Sequence, residues 1–186
     1  MMRMAQLFPD DDISIFMAIR NPASLVPVLF EKAADQSPDA FWGDRDPEDL
    51  RWSETIRLLR ETAPEIPVTV WCNEDAPLIW AQVIRDMAGL TQDTKIKGGF
   101  DLLHSIMSAE GMQRFRGYLD THPDMSEAQK RRVITAFLDK FALEEEIEEE
   151  IDMPGWTEEL VEEMTAIYDA DVEVIRAIPG VTLITP

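Results

Sequence analysis

Arg20-Asn21-Pro22 is the stretch whose residue types and order point most directly to chemistry. An apolar run, Ile13 to Ile19, ends just before it, and a stretch that can form a helix follows. The junction between a strand's carboxyl end and a helix's amino end is where open α/β sheets gather ligands. Free backbone N–H groups and the helix dipole favour an anion there. The guanidinium of Arg20 adds a planar fork of donors suited to phosphate or sulfate. The competing reading is structural: Arg20 pairs with a nearby acid, and Asn21-Pro22 only opens a helix.

Other chemically suggestive residues have plainer explanations. Glu145 with Glu149, and Glu146 with Glu150, are i,i+4 pairs that could share a divalent cation. Neither His104 nor His122 supplies the E-x-x-H spacing that a carboxylate-bridged site wants, so no metal is expected. A solvated acidic face explains these glutamates, with a partner-binding surface as the alternative. No serine or cysteine nucleophile motif accompanies His104, and His122 precedes Pro123 in what reads as an exposed turn. Cys72 closes an apolar run and behaves as a small apolar residue there.

The elements that must position Arg20 follow from patterning. Ile13 to Ile19 (ISIFMAI) reads as a strand buried on both faces, bounded by Asp10-Asp11-Asp12 and by Asn21-Pro22. A helix then runs to about Ala34. Asp46-Pro47 predicts another helix to about Thr62, and Pro67 to Cys72 (PVTVWC) a second buried strand. Asp75 is expected to cap a third helix that Gly89 ends. Beyond Gly98-Gly99 the pattern turns helical. One helix is expected to reach Asp120, eased at Gly111. Another opens at the Ser126/Gln129 capping box and continues through the glutamates to Ile151, and a last one opens at Thr157. Val181 to Ile184 reads as a short closing strand. The expected fold is therefore α/β: a partial parallel sheet in residues 1–97 with a helical part in 98–186, together one domain. Two longer apolar strands are few for a buried parallel sheet, so an incomplete sheet is expected.

Three segments in order resemble the sulfotransferase family. Ile13 through Pro22 is similar to that family's strand and R-N/D-P turn. Val68-Thr-Val-Trp-Cys-Asn-Glu74-Asp75, continuing to Gly89-Leu90, resembles its strand ending in an E-D pair and the helix that follows. Tyr168 to Asp171 with Ile178-Pro179-Gly180-Val181 is similar to a closing segment of bacterial members. The resemblance implies a P-loop-type α/β fold and a donor, 3′-phosphoadenylyl sulfate, or its product adenosine 3′,5′-bisphosphate. It would place the 3′-phosphate on Arg20 beside Asn21. Val28 stands where the family has a phosphate-sharing serine, which leaves Ser24 as the nearest hydroxyl. Lys97 and Gly98, within Lys95-Ile-Lys-Gly-Gly99, could stand in for a basic donor loop, or form a plain turn before a helix. No Gly-rich phosphate cradle of the P-loop kind occurs. The expectation is thus a sulfotransferase-like domain lacking its N-terminal third and inactive alone, with a small-molecule acceptor. The alternative is a non-catalytic acidic protein that binds a basic partner or itself.

Composition narrows the partners. The 186 residues carry 17 Lys+Arg and 37 Asp+Glu, a formal charge of −20. Such a chain has no face to neutralise phosphates along a nucleic acid, and an anionic membrane repels it. Fourteen of the acidic residues lie between Glu144 and Glu173, where no Lys or Arg offsets them. A lone cysteine excludes an internal disulfide framework. No run reaches the length of a membrane span and the first residues lack a signal-peptide pattern, so a cytoplasmic location is expected.

Overall fold

The computed structural model describes residues 10–33, 37–43, 46–147 and 153–186. By internal contacts the chain falls into two compact units, Met1–Asn73 with Glu150–Leu183, and Glu74–Glu149 with Ile184–Pro186.

In the first unit β1 (Ile15–Ile19) pairs in parallel with β2 (Val68–Cys72), in register from Ile15 opposite Val68 to Ile19 opposite Cys72. With β3 (Val181–Ile184) they form a small parallel sheet in the order β1-β2-β3. The crossover from β1 carries α1 (Pro22–Lys32), α2 (Pro38–Trp42), a 3₁₀ turn (Pro47–Asp49) and α3 (Trp52–Thr62). The return to β3 is α9 (Glu158–Arg176), capped by Thr157 as its sequence predicts. Ile19, Ile56, Val68, Val70, Tyr168, Ile175 and Ile178 form the core, joining sheet, α3 and α9.

Two expectations fail here for definable reasons. The helix predicted from Pro47 to Thr62 is broken, because Leu50 and Arg51 are extended (ψ 121° and 122°) and separate the 3₁₀ turn from α3. And β1 is not buried on both faces: it is an edge strand, with Ala18 exposed, whereas Val68, Val70 and Trp71 of the central β2 are buried.

The second unit is helical: α4 (Ala76–Met87), α5 (Asp101–Ile106), α6 (Ala109–Thr121), α7 (Glu127–Phe141) and α8 (Glu144–Ile147). Leu103, Met107, Met112, Phe115 and Ile134 form its core. Phe115 meets Phe100 and Phe137 edge-on at centroid distances of 5.2 and 5.6 Å. The two long helices expected from the sequence are each interrupted, and the interruptions pair. Met107 and Ala142 make an antiparallel bridge, with Ser108 N donating to Phe141 O and Leu143 N to Ile106 O, both at 2.8 Å. Gly111 lets the two segments approach: a Cβ there would lie 2.4 Å from the Cβ of Phe141. The last stretch of the predicted glutamate helix, 148–151, lies outside the described residues. Asp75 precedes α4 but its side chain does not cap it. Asp75 sits in a 3₁₀ turn, Asn73–Asp75, with αR dihedrals that turn its carboxylate away from the capping role.

Candidate functional site

Arg20 follows the last residue of β1 and Asn21 opens α1. The Asn21 Oδ1 accepts from Ala23 N at 3.0 Å, and Asn21 O accepts from Ser24 N and Leu25 N at 3.0 and 2.9 Å. Pro22 has no N–H to offer. The first turn of α1 is therefore self-capped, and its backbone donors do not form the anion cradle that the strand–helix junction suggests. What the junction presents is side chains on a helix dipole. The Arg20 Nε donates to Ser24 Oγ at 3.0 Å, and that hydroxyl donates to Asn21 O at 3.3 Å. Arg20 and Ser24 are thus one hydrogen-bonded pair at the carboxyl edge of a parallel sheet.

The backbone of the junction is held by residues with no local signal in the sequence. Trp52, the first residue of α3, donates its Nε1–H to Arg20 O at 2.8 Å. The Asn21 Nδ2 donates to Thr165 Oγ1 on α9 at 2.9 Å. Both contacts are tertiary, 32 and 144 residues apart in sequence, so no spacing argument reveals them. Pro22 also begins one wall of an apolar groove of about 380 Å³, whose other walls include Leu25, Leu29, Trp42 and Trp52.

No family model, curated protein or solved structure matches this chain.

Arg20, Asn21 and Ser24 come together in the first unit, whereas Lys97 and Gly98 belong to the second. Lys97 is exposed. Gly98 has φ +81°, and its carbonyl accepts from Asp101 N at 3.0 Å, so it makes the turn that starts α5. Glu74 and Asp75, the E-D pair, open the second unit, and burial followed by the Glu74 charge pushes the Asp75 carboxyl above its ordinary value. His104 and His122 are exposed, and His122 stacks on Tyr118 with centroids 4.2 Å apart. Among the described residues no group of His, Cys, Asp or Glu is gathered to hold a metal ion. No helix of the described residues is long and apolar enough to cross a membrane.

Proposed function

We propose that this chain is a sulfotransferase-like α/β protein that binds a 3′-phosphorylated nucleotide, adenosine 3′,5′-bisphosphate or 3′-phosphoadenylyl sulfate, without transferring sulfuryl groups by itself. One observation carries the reading: the Arg20 Nε to Ser24 Oγ hydrogen bond at the carboxyl end of β1. It joins a guanidinium and a hydroxyl, the two side-chain types that share an oxyanion well, on a helix dipole of favourable sign. The groove that begins at Pro22 supports the same reading, since its indoles, Trp42 and Trp52, suit a purine's apolar faces. Turnover is not part of the proposal, because sulfuryl transfer, like phosphoryl transfer, depends on an anion cradle and the sequence contains no Gly-rich one.

Calorimetric titration with adenosine 3′,5′-bisphosphate tests it, with adenosine 5′-monophosphate as the ligand lacking the 3′-phosphate. Binding of the bisphosphate that weakens about tenfold or more in Arg20→Ala, and about as much on loss of the 3′-phosphate, supports the site. Undetectable binding of both nucleotides at millimolar concentration overturns it.

A second reading rests on the outer edge of β1, which no strand of the described residues covers. A strand edge pairs readily with another chain, so this face suits self-association of a non-catalytic acidic protein. Sedimentation across salt concentrations tests that reading: a monomer at every salt rules it out.

A further inference from the structure

The second unit holds a cavity of about 450 Å³ between α4, the 95–101 loop, α6 and the start of α7. Its walls carry four cations, Arg85, Lys95, Arg116 and Lys130, against two carboxylates, Asp101 and Asp120. That balance inverts the chain as a whole, in which 37 acids outnumber 17 bases. Between the charges lie apolar surfaces of Ile96, Phe100 and Leu119.

Arg85 is the decisive residue. Its side chain is only 8% exposed, and beyond a longer-range attraction to Asp93 its charge meets a single ion-pairing carboxylate, that of Glu127. The Nε donates to Thr94 O at 2.9 Å. The Nη1 is buried without a hydrogen-bond acceptor; it lies 3.4 Å from Glu127 Oε2, an ion pair lacking hydrogen-bond geometry. Glu127 is itself divided, because its Oε1 takes the Lys130 ammonium at 2.7 Å. One carboxylate therefore serves two cations, and no ion pair between described residues engages Lys95 or Arg116. A buried guanidinium short of acceptors is costly, and an entering anion offsets that cost.

We infer that this pocket binds a small organic phosphate monoester, its dianionic head among Arg85, Arg116 and Lys130 and its apolar body against Phe100 and Leu119. Phosphate suits arginine because its oxygens match the planar fork of donors. The apolar wall distinguishes an ester from the bare ion. The site lies wholly within the second unit and uses none of the residues of the Arg20 junction.

Isothermal titration of the full chain with phenyl phosphate, inorganic phosphate and phenol tests the assignment, with amide shifts read at Gly98, Gly99 and Arg116. Phenyl phosphate should bind about tenfold more tightly than either half alone and move those amides. Arg85→Ala endangers the fold, so the informative variant is Arg116→Glu at an exposed position, which should weaken phenyl phosphate about tenfold or more. Arg114→Glu, on the same helix but outside the pocket, changes the net charge equally and should leave affinity within about twofold. No binding of phenyl phosphate at millimolar concentration, equal weakening by both variants, or equal affinity for inorganic phosphate overturns the inference.

Discussion

Asp171 and Ser53 are 118 residues apart in sequence and share a hydrogen bond: the buried Asp171 Oδ2 accepts from Ser53 N at 3.0 Å. Ser53 is the second residue of α3, and Arg51 before that helix makes no side-chain cap. Asp171 on α9 therefore supplies from a distance the acceptor, and the negative charge, that a helix start ordinarily finds in its own preceding residue. Replacing it with Ala leaves a buried N–H without a partner and should cost about 1–3 kcal/mol. Asp171→Asn retains an acceptor oxygen and should cost less. Urea unfolding gives both values, and faster exchange of the Ser53 amide in the Ala variant would locate the loss.

The turn into β3 depends on Arg60. Its guanidinium donates to Pro179 O at 3.1 Å, Pro64 O at 2.7 Å and Ile66 O at 2.5 Å. Gly180 follows with φ +76°, and a Cβ there would overlap the Arg60 Nη2 at 2.3 Å. Gly180→Ala should thus incur both the left-handed backbone cost, about 1–2 kcal/mol, and a steric one. In an Arg60→Ala background only the first remains. A double-mutant cycle by urea unfolding should show the Gly180→Ala cost falling when Arg60 is absent; equal costs would refute the packing argument.

Gly111 offers the opposite test of helix propensity. Alanine is favoured over glycine within a helix by about 1 kcal/mol. Here its methyl would meet Phe141 Cβ at 2.4 Å and Met107 Cγ at 2.9 Å. Overpacking of this kind costs about 1–3 kcal/mol and should outweigh the propensity gain, so Gly111→Ala lowers the urea midpoint. Gly117, on the same helix with open space at its Cβ position, should be stabilised by the same substitution.

Mild acidification should stabilise the protein. The Asp75 carboxyl is raised by burial and by Glu74, and the Glu48 carboxyl chiefly by the facing charge of Glu163. A raised folded pKa means that the native state holds its proton more tightly than the unfolded chain. Stability therefore climbs as pH falls through the raised values and stops climbing below the ordinary carboxylate range. Asp93 works the other way: the Thr91 hydroxyl lowers its pKa, and its contribution is lost only in stronger acid. Asp75→Asn should stabilise at neutral pH, with the gain shrinking on mild acidification. Unfolding midpoints across pH check both signs.

Local patterning was a good guide wherever one short segment decides its own conformation. The strand ends at Ile19 and Cys72, the Asn21, Ser126 and Thr157 caps and the closing strand Val181–Ile184 all appear as side-chain chemistry predicts. The Arg20 candidate was legible for the same reason, since strand end, cap and proline are adjacent.

Patterning misjudged the helix lengths, because interruptions at Met107 and Ala142 satisfy each other's backbone groups across the fold, a pairing that the Ser108 cap at the start of α6 does not by itself reveal. It also overestimated the burial of β1, since apolar composition does not tell an edge strand from a central one. What the amino-acid order determined by itself is the set of elements and the charged and capping residues at their ends. Tertiary structure alone decided which distant groups complete them. Trp52 and Thr165 hold the Arg20 junction, Asp171 caps α3, and Glu127 is shared by Arg85 and Lys130. Those partnerships arise because buried polar groups must be paired by whatever residue the fold brings within reach, however far away it lies in the chain.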